Sequence, residues 1–233
     1  MTAGQDMMAA FFDRKSNLAR PAISLEEREL RSAQLLDAAV SLWLQNPERI
    51  PSVSEVAKRA GIAKGAVYLY FKSKEDLLLA VHERQIAVYF DAVVTRARSD
   101  VPMGFDTIME LTSRHLVEQP VFLPLATLIA GLLHKGVTPE IALEFEQRMA
   151  ERLRLAGGLL CRHFRLPDEL SGVRLLMRSF ALILGLWQLI GSEQPMCIGS
   201  EVSAMLLPDY PSELHAALSA LWKGTLNEDS NHA

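Results

Sequence analysis

Cysteine is scarce in this chain. Cys161 and Cys197 are the only two in 233 residues. Two thiols supply neither a disulfide framework nor the paired spacing of zinc ligands, and they read as reduced cysteines of a cytoplasmic protein. Cys161-Arg-His163 sets two ligand types side by side. With no second pair alongside, no metal is expected there. A long hydrophobic run is also lacking. The greasiest stretch, Phe180 to Ile190, is eleven residues, well short of the ~20 that cross a bilayer as a helix. It reads as a helix buried on most faces, so no membrane partner is expected. The N-terminus has no apolar stretch of signal-peptide length. Sustained Val/Ile/Thr alternation is missing, which excludes a sheet from the expected fold. Internal repeats and low-complexity segments are absent as well. The chain offers no paired-carboxylate motif, nucleophile elbow or glycine-rich phosphate loop, so neither a catalytic site nor a cofactor is expected. A helical enzyme built from dispersed residues remains a rival class, as does a purely protein-binding helical module. The net charge of −4 argues against a general nucleic-acid coat.

Hydrophobic residues make up 49% and charged residues 22%, the balance of a globular chain with a sizeable core. Residues 1–23 show no clear periodicity and read as a flexible arm. Arg14, Lys15 and Arg20 in it could touch phosphate, though a solvated tail is the plainer reading. Ser24-Leu-Glu-Glu27 is a capping box, and helix one should follow to about Leu44. Leu35, Leu36, Ala39, Val40 and Trp43 supply its apolar face. Two prolines break the chain between Gln45 and Pro51. Ser52-Val-Ser-Glu55 is a second capping box. It opens a short amphipathic helix two, which ends at Gly61, where a left-handed C-cap is needed. Helix three is expected from about Ala63 to Tyr70. Ser73 should cap helix four, which continues to about Arg98. Beyond residue 100 everything reads helical. Breaks fall at Val101 to Gly104, near Pro120 and Pro124, at Gly136 to Pro139, at Leu166-Pro167 and across Gly191 to Pro211. Thr138-Pro139 is an N-cap followed by proline at the first helical position.

Two short helices joined by a glycine-containing turn follow the helix-turn-helix plan, whose second helix enters the major groove of DNA. Charge supports that use. Residues 1–80 hold 11 Lys+Arg against 10 Asp+Glu, a balance of +1, and residues 81–233 hold 13 against 18, a balance of −5. Lys58, Arg59, Lys64, Lys72 and Lys74 lie in a stretch with no acid between Glu55 and Glu75. An acidic chain has gathered its cations on its one helix-turn-helix candidate, which fits a DNA-binding face. A solvated basic helix face is the blander alternative. Lys64 and Tyr68 are four residues apart and share a face. Val67 and Phe71 point the other way, into the small core. Gly65 lets the backbone come close to phosphate, and helix N-termini attract phosphate, at Ser52 as at helix three.

The stretch Ser52 to Leu77 closely resembles the DNA-binding signature of the tetracycline-repressor (TetR) family. The matching elements are the Val-Ala-Ala-Gly spacing, the Lys-Gly ahead of Val67, Tyr-x-Tyr-Phe ending at Phe71, and Ser-Lys-Glu-Asp-Leu. The strong likeness runs from about Glu27 to Val81. It implies an all-α fold with an N-terminal three-helix DNA-binding domain, residues 24–80. A larger helical ligand-binding and dimerisation domain follows, residues 81–226, and then a disordered tail, 227–233. It also implies DNA contact by Ser52, Ser54, Lys64, Gly65, Ala66, Tyr68, Leu69, Tyr70 and Lys74. Ser52 and Ser54 touch the DNA backbone from helix two, and Tyr70 and Lys74 touch phosphate. The sequence departs from the family in the loop Gln45 to Pro51, longer than the usual short turn after helix one, and at three single positions. Ala63 stands where a hydroxyl often caps helix three, Ala66 where a hydroxyl is frequent, and Leu69 where an aromatic or polar residue is frequent. Thymine methyl contact by Ala66 or Leu69 is the alternative to the lost hydrogen bonds.

The resemblance further implies a small-molecule effector, a double-stranded operator, a homodimer and, by family habit, repression. For the effector pocket the expected residues are Met103, Phe105, Met109, Phe122, Leu125, Phe145 and Met149, with Arg152 as a polar handle. Core packing is the default explanation for each apolar one. Met and Phe enrichment also suits an adaptable apolar pocket, and a lipophilic effector fits it. His115, His134, Arg148 and His163 are further candidate handles, though taken singly each reads as a surface residue. Val173, Met177, Phe180, Leu184 and Trp187 form one helical stripe, and Leu214, Leu218 and Leu221 another. In the family, the last two long helices pair with their copies in a four-helix bundle. Two-fold symmetry then predicts a palindromic or near-palindromic site.

Overall fold

The computed structural model describes residues 24–47, 49–191 and 208–230, and among them every regular element is helical. The expected arm at 1–23 and Cys197 lie outside the described residues. Helix α1 runs Leu25–Gln45, α2 Val53–Arg59, α3 Lys64–Val67 and α4 Lys74–Arg98. Helix α5 spans Phe105–Thr112 and winds on as a π-helical turn over Ser113–Val117. Next come α6 Phe122–Lys135, α7 Pro139–Phe164 and α8 Glu169–Leu186 with a second π turn at Trp187–Gly191. The last helix, α9, is Tyr210–Ser230, so the chain stays helical past the point where a disordered tail was expected to begin at residue 227.

The caps act where the sequence placed them. The Glu27 N–H donates to Ser24 Oγ at 3.1 Å. At α2 the box closes both ways. The Glu55 N–H donates to Ser52 Oγ at 3.3 Å, and the Glu55 carboxylate accepts from the Ser52 N–H at 2.9 Å. Hydrogen bonds from Arg49 first, then from Ser52, hold the Glu55 carboxyl down at about 2. Gly61, at φ +68°, closes α2 with the Ile62 N–H on Ala57 O at 2.9 Å and the Gly61 N–H on Lys58 O at 3.3 Å. This six-to-one, five-to-two pair satisfies the last carbonyls of the helix. Helix α3 is shorter than Ala63–Tyr70. Its cap, Ala63, makes no side-chain hydrogen bond. Beyond Val67 the chain tightens into turns, with the Leu69 N–H on Ala66 O at 3.1 Å and the Tyr70 N–H on Val67 O at 2.9 Å. Pro124 and Pro211 fall in the first turns of α6 and α9, where no intrahelical N–H is needed.

Contacts divide the chain into two compact units, one ending at Gln34 and one beginning at Leu35. In the first, the described residues are the opening turns of α1, with an Arg31–Glu27 ion pair at 2.7 Å one turn apart. The second holds two apolar cores. One gathers Leu35, Trp43, Val56, Val67, Phe71 and Leu77 with Val121 just ahead of α6, Leu125 and Ile129 of α6 and Phe145 of α7. The three short helices are thus packed on residues from the chain's second half, and no gap opens at residue 80. The other core joins α4 through Phe90 and Val93 to Leu160, Leu175, Leu214, Leu218 and Trp222. Helices α7 and α8 cross at Gly157 and Gly172, with no room for a Cβ at either. Among the described residues, Glu169–Gly191 is the one helical stretch long and apolar enough to cross a membrane by length and composition. It carries Glu169, Arg174 and Arg178, and Leu175, Leu176 and Ile183 on it are core residues.

Candidate nucleic-acid interface and effector cavity

The helix-turn-helix is α2, the Gly61 turn and α3. Val67 and Phe71 are buried, as their helical phase requires, and turn the opposite face outward. On that face Lys64 and Gly65 are exposed, Tyr68 is 43% exposed and Leu69 61%. Ser54 is exposed, and Ser52, Ala66, Tyr70 and Lys74 are half-buried. Tyr70 packs its ring against the small core. A Cβ on Gly65 would meet nothing within 4 Å, and Gly61 is the one described glycine with positive φ. No described residue crowds position 65, as is also true at Gly104, Gly131, Gly185 and Gly224. Of the clustered cations, Arg59 is committed internally, donating to Ser41 Oγ at 2.8 Å and Gln45 Oε1 at 2.6 Å. It anchors α2 on α1.

Helix α4 leaves this head and forms one wall of an apolar cavity of about 340 Å³. His82, Ile86, Tyr89 and Phe90 line it from α4, and Phe145, Met149 and Leu153 from α7. Helix α8 contributes Leu176, Met177, Ser179, Phe180, Ile183 and Leu184. Leu116, Ala126, Ile129 and Leu133 complete the lining. Of the expected pocket residues, Phe145 and Met149 are there. Met103, Phe105, Met109, Phe122, Leu125 and Arg152 are not. Met103, Met109, Phe122 and Leu125 are buried as packing, Leu125 in the core under the DNA-binding helices. Phe105 lies edge-on to His215 and packs near Trp222.

The expected handles have other duties. Glu83 accepts from Arg148 Nε at 2.5 Å and from Arg152 at 3.1 Å. Burial opposes ionisation of Glu83, but the hydrogen bonds from Arg148 and Arg152 outweigh it and hold the carboxyl below its usual range. His163 Nε2 lies 2.8 Å from Ala97 O. His115 does not line the cavity, and the side chain of His134 lies outside what is described. Three residues with polar side-chain atoms do line the cavity, His82, Tyr89 and Ser179, and sequence reasoning missed all of them, His82 included. A signal was present: His82 takes its place in the four-residue steps Leu78, His82, Ile86 on the buried stripe of α4.

The expected dimer stripes need revision too. Leu214 and Leu218 are each 1% exposed, buried in their own chain's core. Phe180 and Leu184 face the cavity, and Trp187 lies edge-on to Tyr210 at 5.5 Å. Val173 and Leu221 are half-buried. Leu170, Met177 and Leu189 are the exposed large apolar residues of the α8 stretch, Met177 at 56%.

Comparison with known proteins settles the family. The model of the N-terminal domain of bacterial regulatory proteins of the tetR family matches residues 35–81. That of the tetracyclin repressor-like C-terminal domain matches residues 83–229, more than half the chain. The chain belongs to the TetR family of transcriptional regulators. The Fatty acid metabolism regulator protein of Bacillus subtilis is 34% identical over 67 residues, 29% of this chain and 34% of that protein. The chain thus matches about a third of that relative's length. Solved structures share the fold across most of both chains. A putative TetR-family transcriptional regulator from Mesorhizobium loti has a TM-score of 0.54 at 17% identity, covering 86% of this chain and 96% of that one. The fatty acid degradation regulator FadR from Bacillus halodurans has a TM-score of 0.54 at 20% identity, covering 82% and 98%. TetR regulators bind DNA operators and small-molecule effectors, typically as dimers.

Proposed function

We propose that this TetR regulator is a cytoplasmic repressor. As a homodimer it binds a palindromic operator, and it releases the DNA when a small lipophilic effector fills the cavity. Helix α4 carries this reading. Lys74 opens its first turn, seven residues after Val67 ends α3, and two turns later the same helix lines the cavity. A ligand that moves the α4 wall moves the DNA-binding head with it. The apolar lining supports a lipophilic effector, and a relative named for fatty acid metabolism agrees with it. The DNA surface comprises Ser52, Ser54, Lys64, Gly65, Ala66, Tyr68, Leu69, Tyr70 and Lys74. Dimerisation uses the outer face of α8, centred on Leu170, Met177 and Leu189.

The test is capture of genomic DNA fragments by the purified protein, followed by binding to the selected site. Tyr68→Phe and Lys74→Ala should each weaken binding about fivefold or more, the worth of a hydrogen bond of ~1 kcal/mol. If both variants retard the selected DNA as the parent does, the assigned contact surface is wrong. If no fragment is enriched, the operator reading itself falls.

A further inference from the structure

The cavity has very few polar atoms, and most are already engaged. The Ser179 hydroxyl donates to Leu175 O at 2.8 Å and accepts from Trp222 Nε1–H at 3.0 Å. Tyr89 Oη lies 3.5 Å from Thr112 Oγ1. His82 differs. Its side chain is buried at 2% exposure, and its Nδ1 has no hydrogen-bond partner among the described residues. Its ring stacks on Phe122 at 5.2 Å and lies tilted to Phe145 at 6.2 Å. Buried polar nitrogens are almost always paired, and one that is not asks for an explanation. This one belongs to a residue that lines a ligand-sized cavity.

The other lining residues narrow the chemistry. Among the described residues no Lys, Arg, Asp or Glu lines the cavity. Glu83, the next residue along α4, is held by Arg148 and Arg152 and does not line it. A carboxylate entering here would lose its hydration and meet no cation. A hydrocarbon would leave Nδ1 unpaired. A neutral imidazole nitrogen is a donor in one tautomer and an acceptor in the other, and a hydroxyl satisfies both. The 340 Å³ volume is of small-molecule size.

We propose that the cavity binds a compact, uncharged lipophile with a single hydroxyl head, an alcohol or a phenol, and that this hydroxyl hydrogen-bonds the His82 imidazole, the ring turning to present Nδ1 to the cavity it lines. The inference rests on reading the cavity as the effector site, and it names the ligand class.

Three probes that differ only in the head group test it: 4-pentylphenol, pentylbenzene and 4-pentylbenzoate. Binding to the full chain is read by calorimetry and by thermal shift at pH 7.5. The parent should bind 4-pentylphenol about tenfold or more tighter than pentylbenzene, and 4-pentylbenzoate weakest. In His82→Phe the ring and its stacking remain but the nitrogen is gone. The phenol should then bind no better than pentylbenzene. His82→Asn places an amide near the Nδ1 position and should restore part of the phenol preference. It also carries the test if His82→Phe does not fold. Equal affinity of the parent for phenol and hydrocarbon, or a phenol preference that survives in His82→Phe, overturns the hydrogen bond while leaving a lipophilic effector site in place. Tightest binding by the benzoate overturns the uncharged ligand class. Failure of all three probes to bind overturns the effector cavity as well.

Discussion

His82 shows what a buried imidazole does to stability. Burial disfavours its charged form and brings its pKa down to about 4, against a small opposing pull from the Glu83 carboxylate. In the unfolded chain the same group titrates near 6.5. Between those values the unfolded state binds a proton that the folded state refuses, so stability falls as the pH falls. The contribution is intact above pH 6.5 and is lost progressively toward pH 4, on the order of 3 kcal/mol in all. His82→Phe, which has no proton to gain, should lose less. The gap between its melting temperature and the parent's should move in the variant's favour as pH drops from 7 to 5. A constant gap across that range would disprove the assignment. At this scale the sequence was legible where periodicity decides direction. Val67 and Phe71 point inward, and Lys64 and Tyr68 point outward. His82 was not legible, because a polar residue on an apolar stripe looks the same whether it packs against core or against a cavity. That distinction depends on what α7 and α8 bring to face it.

At the scale of elements, caps and breaks were read from local chemistry and largely found. Ser24, Ser52, Ser73 and Thr138 each accept from a backbone N–H three residues on. Such bonds close within one turn and need no knowledge of the fold. The crossing of α7 and α8 is the opposite case. Gly157 and Gly158 look like weak points inside a long helix, yet Gly157 and Gly172 let two helices touch backbone to backbone. A Cβ on Gly172 would come within 2.3 Å of Gly157 O, and one on Gly157 within 2.7 Å of Val173 N. Backbone cannot swing aside as a flexible side chain can. Gly172→Ala should therefore cost about 1–3 kcal/mol, a fall of roughly 2–12 °C in melting temperature for a chain this size. Gly224, inside α9, has open space at its Cβ. Gly224→Ala should raise the melting temperature, since alanine is favoured in a helix by ~1 kcal/mol. Opposite signs for two identical substitutions are the expected result. A rise in both would mean that the helices separate at no cost.

At the scale of the whole molecule, the same ambiguity affected the stripes expected to form a dimer face. A stripe such as Leu214, Leu218 and Leu221 tells which side of a helix is apolar, but not whether that side meets its own chain or a copy. Leu214 and Leu218 turned out to serve their own core. The outward surface is Leu170, Met177 and Leu189 on the α8 stretch. A charge argument makes the pairing measurable. The chain is net acidic, −4, and each head offers few cations, of which Arg59 is already bonded to α1. One head has little electrostatic hold on DNA, whereas two heads on one duplex double it. Each phosphate contact contributes about −0.9 to the slope of log affinity against log salt. Lys74→Ala should therefore flatten that slope by about 1.8 on a palindromic site if two heads bind together, and by about 0.9 if one binds alone. Leu170→Glu combined with Met177→Glu should split the dimer in sedimentation and bring the slope change for Lys74→Ala down to the single-head value. A double variant that sediments as the parent does would place the interface elsewhere. A change of 0.9 in the parent protein would mean that a single head binds the site.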